Sequence, residues 1–141
     1  MNNTIVTYRL SPRQRLYVIG AGALIGFSQA IGDNPEFGIV LFGLFVVAYF
    51  AQARFRTELS ADGIESTGSI LGSKRVEWAS ITEVEDARML GTHTVRLHTR
   101  DGQKIRLPAP IDGPLTRDDD FGLKLERIRA EWQKRSTAPT A

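Results

Sequence analysis

The chain has 141 residues, 18 Lys+Arg against 16 Asp+Glu, and no cysteine. That is room for about one domain with an appendage. The near-balance of charge gives no general affinity for nucleic acid. The missing cysteines exclude disulfides, cysteine nucleophiles and thiolate metal sites. Two histidines are too few for an ordinary zinc or haem centre. The mean hydropathy of -0.17 averages two unlike halves.

Near the N-terminus, Val6, Tyr8 and Leu10 alternate with polar residues, which predicts a short strand that joins a sheet further along. Residues 1–15 otherwise read as a cytoplasmic N-terminal segment. Residues 16–53 hold two uncharged apolar runs, Leu16–Gly32 and Phe37–Ala53, separated by Asp33-Asn34-Pro35-Glu36. A spanning helix needs about 17–25 apolar residues, so both runs are expected to cross a membrane at the short limit of that range. Arg13, Arg15, Arg54 and Arg56 can keep their charges at the interface, and Tyr17 and Tyr49 sit near the ends as interfacial aromatics do. Basic residues flank the outer ends of the pair and none lies in the loop between. The positive-inside rule therefore places both termini in the cytoplasm and Asp33–Glu36 outside. Gly22, Gly26 and Ala30 recur every four residues and form a small-residue face for helix packing, against either the second run or another copy of the chain.

From residue 54 onward the balance is 15 Lys+Arg to 14 Asp+Glu, and the apolar runs become short and alternating. Strands are predicted over residues 55–59, 64–70, 74–78, 82–87, 94–99 and 103–107, separated by turn residues in an antiparallel meander. Pro108 and Pro110 are expected to end the last strand. Register follows from side-chain alternation. A three-residue loop, Arg100-Asp101-Gly102, sets Leu97 opposite Ile105 and Val95 opposite Leu107, with Gly102 left-handed in a bulge. The other face then carries Arg96 opposite Arg106 and His98 opposite Lys104. Like charges across strands repel. Either Glu83 and Glu85 neutralise this stripe, or the stripe is a patch for an anion or an acidic partner. Lys74-Arg75 is a weaker basic pair in the preceding hairpin.

A helix is predicted over residues 118–135. Phe121, Leu125, Ile128 and Trp132 form one apolar stripe, Asp118–Asp120 suit the dipole at its start, and Arg127–Glu131 makes an i,i+4 pair. Residues 136–141 read as a disordered tail. The soluble half is thus α+β, a sheet closed by a helix. No paired carboxylates, nucleophile elbow, phosphate loop or metal-ligand spacing is present, so neither enzymatic activity nor a cofactor is expected.

Six short strands closed by one C-terminal amphipathic helix resemble a pleckstrin-homology (PH)-like domain. More specifically, the chain resembles small bacterial, actinobacterial-type PH-domain membrane proteins, in which two N-terminal spans lead into a PH-like domain. The resembling residues are Leu59-Ser60-Ala61-Asp62-Gly63-Ile64, Val76-Glu77-Trp78-Ala79-Ser80-Ile81, and Leu97–Leu107 around Arg100-Asp101-Gly102. The resemblance implies a transmembrane hairpin at residues 16–53, an antiparallel β-sandwich or barrel at residues 54–135 capped by the helix, and Trp78 and Ile81 as core. It also implies an interaction module at the cytoplasmic face of the plasma membrane. Its partners would be the bilayer and a protein or a second copy of the chain. Peripheral contact with anionic lipid headgroups, or service as an accessory subunit of a membrane complex, are the alternatives. Glu58 and Glu65 beside the loop Ser60–Gly63 depart from the basic pattern that grips inositol phosphates, so inositide binding is not expected.

Overall fold

The computed structural model describes residues 4–69, 72–114 and 116–137. In chain order the elements are β1 (Thr4–Arg9), α1 (Pro12–Ile31), α2 (Pro35–Gln52), β2 (Arg56–Ser60), β3 (Gly63–Ser69) and β4 (Gly72–Glu77). A 3-10 turn at Trp78–Ser80 follows, then β5 (Ile81–Met89), β6 (Thr92–Thr99), β7 (Lys104–Asp112) and α3 (Phe121–Ser136). The strands form two antiparallel sheets, β1-β2-β3-β4 and β5-β6-β7, rather than one meander. The turn at Trp78 carries the chain from one sheet to the other. Trp78 is buried there, and its indole N–H donates to the Ser60 carbonyl at 3.0 Å. The sheets face each other over one core. Leu59 and Ile64 come from the first sheet, Val95, Leu97 and Leu107 from the second, and Ile128 from α3, all with no exposed surface. Each such side chain contributes about 1.5–3 kcal/mol by leaving water. No barrel closes, because β4 and β7 are not hydrogen-bonded neighbours.

The β6–β7 hairpin has the expected register near its loop: Leu97 faces Ile105, Arg96 faces Arg106 and His98 faces Lys104. Gly102 has φ +82°, and its N–H donates to the Thr99 carbonyl at 3.0 Å. Two expectations fail beyond that point. Pairing jumps from Arg96–Arg106 to Thr94–Ile111, so Val95 and Leu107 are not register partners, although both are buried. And β7 does not stop at Pro108. It continues through Pro108 and Pro110 to Asp112, with a cis Ala109–Pro110 bond. Proline is tolerated there because β7 is an edge strand and the prolines sit in the bulge, where no ladder N–H is required.

The helix α3 begins three residues later than the acidic run suggested. Phe121, Leu125 and Ile128 are buried and Trp132 is half-buried. Asp118 precedes the helix, accepts the Phe121 N–H on its carbonyl and pairs with Lys124 at 2.6 Å. Glu131 pairs with Arg135 at 3.2 Å instead of with Arg127, because Arg135 is drawn over the β2–β3 turn to donate to the Ala61 carbonyl. Of the expected tail, Ser136 ends the helix and Thr137 caps it, and residues 138–141 lie outside the described residues.

The short strand expected from the alternation of Val6, Tyr8 and Leu10 is present: residues 4–9 form β1, at the edge of the first sheet. Thr7, Tyr8 and Arg9 face Glu58, Thr57 and Arg56 in register, and Tyr8 is buried. The helical pair α1–α2 is therefore inserted between two hydrogen-bonded strands. Between helices, the small residues face inward. Gly22 lies against the Phe45 side chain and Gly26 against Phe42. A Cβ on Gly38 would stand 2.7 Å from the Ala30 nitrogen and the Gly26 oxygen. The small-residue face is thus filled by the second helix of the same chain. Of the two helices, only α2 is both long and apolar enough to cross a membrane by itself. α1 spends its first turn on Arg13, Gln14 and Arg15 and ends at Ile31, so only residues 16–31 of the helix are free of charge, with the polar Ser28 and Gln29 among them.

A chain beginning at residue 54 is expected to be less stable, by about 3 kcal/mol or more, than one in which residues 4–10 are joined to residue 54 by a short Gly-Ser link. It loses the burial of Tyr8 and Leu10 and exposes the β2 edge. Urea unfolding of the two chains measures the difference.

Candidate interaction surface

The bases of the inserted helices are tied to the domain by one side chain. Ser11 and Gln14 form a capping box at the start of α1, with Ser11 N–H donating to Gln14 Oε1 at 2.8 Å. The Gln14 amide nitrogen donates to the carbonyls of Ile111 at 3.1 Å and Thr116 at 2.8 Å. Only 4% of Gln14 is exposed. The junctions are short: Leu10-Ser11 on one side and Ala53-Arg54-Phe55 on the other. The helices and sheets are consequently coupled, with Arg9, Arg13, Arg15, Arg54 and Arg56 around the joint.

The predicted basic stripe exists as one cluster on the outer face of the second sheet. Arg96 and His98 come from β6, Lys104 and Arg106 from β7, and Glu83 and Glu85 face His98 and Arg96 from β5. Glu85 takes a central place. Its carboxylate lies 2.7 Å from His98 Nε2 and 3.7 Å from the Arg96 guanidinium. The His98 hydrogen bond, aided by the charges of Arg96 and Lys104, holds the Glu85 carboxyl below its ordinary range. Half of the stripe is thus neutralised within the sheet. Lys104 and Arg106 make no ion pair among the described residues. The other histidine, His93, bonds Asp86 at 3.1 Å, accepts from Arg88 and packs on the Phe121 ring. The two histidines do not converge, and no three-residue metal cluster occurs among the described residues.

Lys74 and Arg75 belong to β4, on the other sheet. Arg75 turns away to Asp62 at 3.1 Å. Lys74 reaches across to the β6–β7 loop and donates to the Gln103 side-chain oxygen at 3.0 Å. In that loop, the Thr99 hydroxyl bonds Asp101. That bond, the backbone amides of Gln103 and Asp101, and the charge of Lys74 hold the Asp101 carboxyl below its ordinary range. Lys74 also lines, with Arg106, a cavity of about 470 Å³ floored by Phe55, Ile105, Leu107 and Pro108. The structure therefore groups four of the six basic candidates, Arg96, His98, Lys104 and Arg106, on the outer face of the second sheet, and brings Lys74 and Arg75 to the β4–β7 seam, where Lys74 shares a cavity with Arg106. Sequence reasoning did not single out Gln14. The Ser11-x-x-Gln14 capping pattern was the available signal for the helix start, but the carbonyls it binds lie about a hundred residues away.

Residues 54–130, more than half of the chain, match the bacterial PH domain family. Two sheets of four and three strands closed by a C-terminal helix are an α+β arrangement that agrees with this match. The chain belongs to the bacterial PH-domain family, whose fold serves protein or lipid interaction in general. No curated protein matches it.

The Glu85 contact gives stability that is present above the ordinary carboxylate range and lost as pH falls through the lowered folded value. Glu85→Gln is expected to lower the melting temperature slightly near neutral pH, and the difference is expected to shrink as pH falls through the lowered folded value of the native carboxyl. The difference between the two melting curves measures this.

Proposed function

We propose that this protein is a bacterial PH-family interaction module held at the cytoplasmic face of the plasma membrane by its inserted helical pair, and that its sheets bind a protein partner. One observation carries the reading. Thirteen of the sixteen large apolar side chains that remain exposed among the described residues lie on α1 and α2, including Leu24 at 75% and Phe27 at 70%. An apolar surface of that extent is not left in water by a small soluble chain. The five arginines at the joint stand where the positive-inside rule places the cytoplasmic side. With α1 packed by its glycines on α2, the pair enters lipid as one unit. The short junctions and Gln14 then hold the domain close to the bilayer in a set orientation.

A protein partner fits the outer sheet face better than a lipid surface does. Glu83 and Glu85 stand among the bases, so an anionic surface meets a mixed field rather than a uniformly basic one. Each basic residue near such a surface contributes about 1 kcal/mol, and an acid beside it offsets that gain. Lys104 and Arg106, without ion pairs, favour lipid contact as the second reading.

Two measurements test the proposal. The full chain is expected to stay with membranes after alkaline carbonate extraction, with both ends accessible to protease only from the cytoplasmic side. Photo-crosslinkers at Ser73, Gln103, Glu83 and Phe27 are expected to capture one recurrent protein from a domain position. Capture only from Phe27 would make the chain a membrane-complex subunit. Release by carbonate would overturn the anchoring.

A further inference from the structure

The four outer edges of the two sheets are treated unequally. The β5 edge is covered by α3: Trp132 donates to the Ile81 carbonyl at 3.1 Å and Arg129 to the Val84 carbonyl at 3.3 Å. The second half of β7 is capped by side chains, Thr57 on the Ala109 carbonyl at 2.6 Å and Gln14 on the Ile111 carbonyl. β1 runs directly into the clamped start of α1. By contrast, β4 and the first half of β7 have neither a strand nor a capping side chain along their outer edges among the described residues. These two open edges face each other. The cavity beside Pro108 and a second one of about 460 Å³, lined by Arg75, Glu77, Arg100 and Asp101, share Lys74 and Ile105 and so form one cleft. Gly72, Ser73, Lys74 and Arg75 are all exposed.

An unpaired edge is a template for another strand. Charge decides which strand. Lys74, Arg100 and Arg106 line the cleft against Glu77 and Asp101; Arg75 at its rim is paired with Asp62, and Asp101 is engaged by Thr99 and the loop backbone. A second copy adding antiparallel to β4 would bring Lys74 and Arg75 near their own counterparts, and like charges across strands repel. At the Pro108 end, Phe55, Ile105 and Leu107 offer an apolar recess beside Lys74 and Arg106. Side chains of an added strand alternate with period two, so apolar and acidic residues in alternation would meet the recess and the bases.

Resting on the interaction-module reading, we propose that the β4–β7 cleft binds an extended segment of a partner protein, about six residues of alternating apolar and acidic character, which adds as a strand to the β4 edge.

The full chain in phosphatidylcholine nanodiscs tests this against a library of N-acetylated octapeptides. In these, Asp or Glu alternates with varied apolar residues, and a matched series carries Lys in place of the acids. Fluorescence anisotropy is expected to find acidic members that bind, and N-methylation of alternate peptide amides to weaken them at least tenfold. Lys74→Glu with Arg106→Glu is expected to weaken the acidic series tenfold and to strengthen the lysine series. The reversed preference also shows that the variant is folded. Binding by no acidic peptide, or equal binding by the N-methylated ones, overturns the proposal. So does loss of peptide binding when phosphatidylglycerol replaces phosphatidylcholine, which would assign the cleft to lipid. Disulfide capture of a second copy through Ser73→Cys overturns it in favour of self-pairing. If cells yield a crosslinked protein from Glu83 and no peptide binds the cleft, the cleft assignment fails and the module reading stands. If no protein is captured from any domain position, the module reading itself fails.

Discussion

Everything in this molecule depends on the pairing of residues 4–9 with residues 56–60. Those strands are adjacent in the sheet, yet the whole helical pair lies between them in the chain. A chain that leaves a sheet and returns to the next position must bring both ends of its excursion together. An antiparallel helix pair does this without strain, because its start and finish lie side by side. The glycines of α1 and Gly38 of α2 let the helices approach closely enough to meet that spacing. Packing within the helical pair and pairing within the sheet are thus two halves of one constraint.

The Gln14 clamp turns that constraint into a defined geometry. Two short junctions alone would allow the domain to pivot. A buried amide spanning from the helix start to the β7–α3 connection removes this freedom, since breaking it would leave carbonyls unsatisfied in a dry site. The anchoring proposed here gains its interest from that rigidity. Under the proposed anchoring, a rigidly joined domain would present the same surfaces to the bilayer and to the cytoplasm at all times.

Charge is distributed with the same economy. On the outer face of the second sheet, Glu85 gathers His98 and Arg96, so the like-charge pairing forced by the register is relieved where three strands meet. Among the described residues Arg106 makes no ion pair, and Lys74 has only the Asp101 charge across the loop; both face the seam where the sheets fail to close. The incomplete barrel and these two bases coincide there.

Local patterns determined much of this protein by themselves. The period-two alternation of Leu97 and Ile105, with one glycine able to adopt positive φ, decided the β6–β7 register, because a slip of one residue would turn every apolar side chain outward. The four-residue spacing of Gly22, Gly26 and Ala30 marked the packing face of α1, and the stripe from Phe121 to Trp132 marked the buried face of α3. Those signals lie within a few turns or one hairpin. Tertiary structure alone decided the rest. It chose the partner of the small-residue face, carried β7 past two prolines along an open edge, and moved Glu131 from Arg127 to Arg135. It also split the meander into two sheets. Each of these is settled by contact between residues far apart in the chain, such as Gln14 with Ile111 or Lys74 with Gln103. No local period encodes such contacts, because they exist only once the two sheets have packed around their common core.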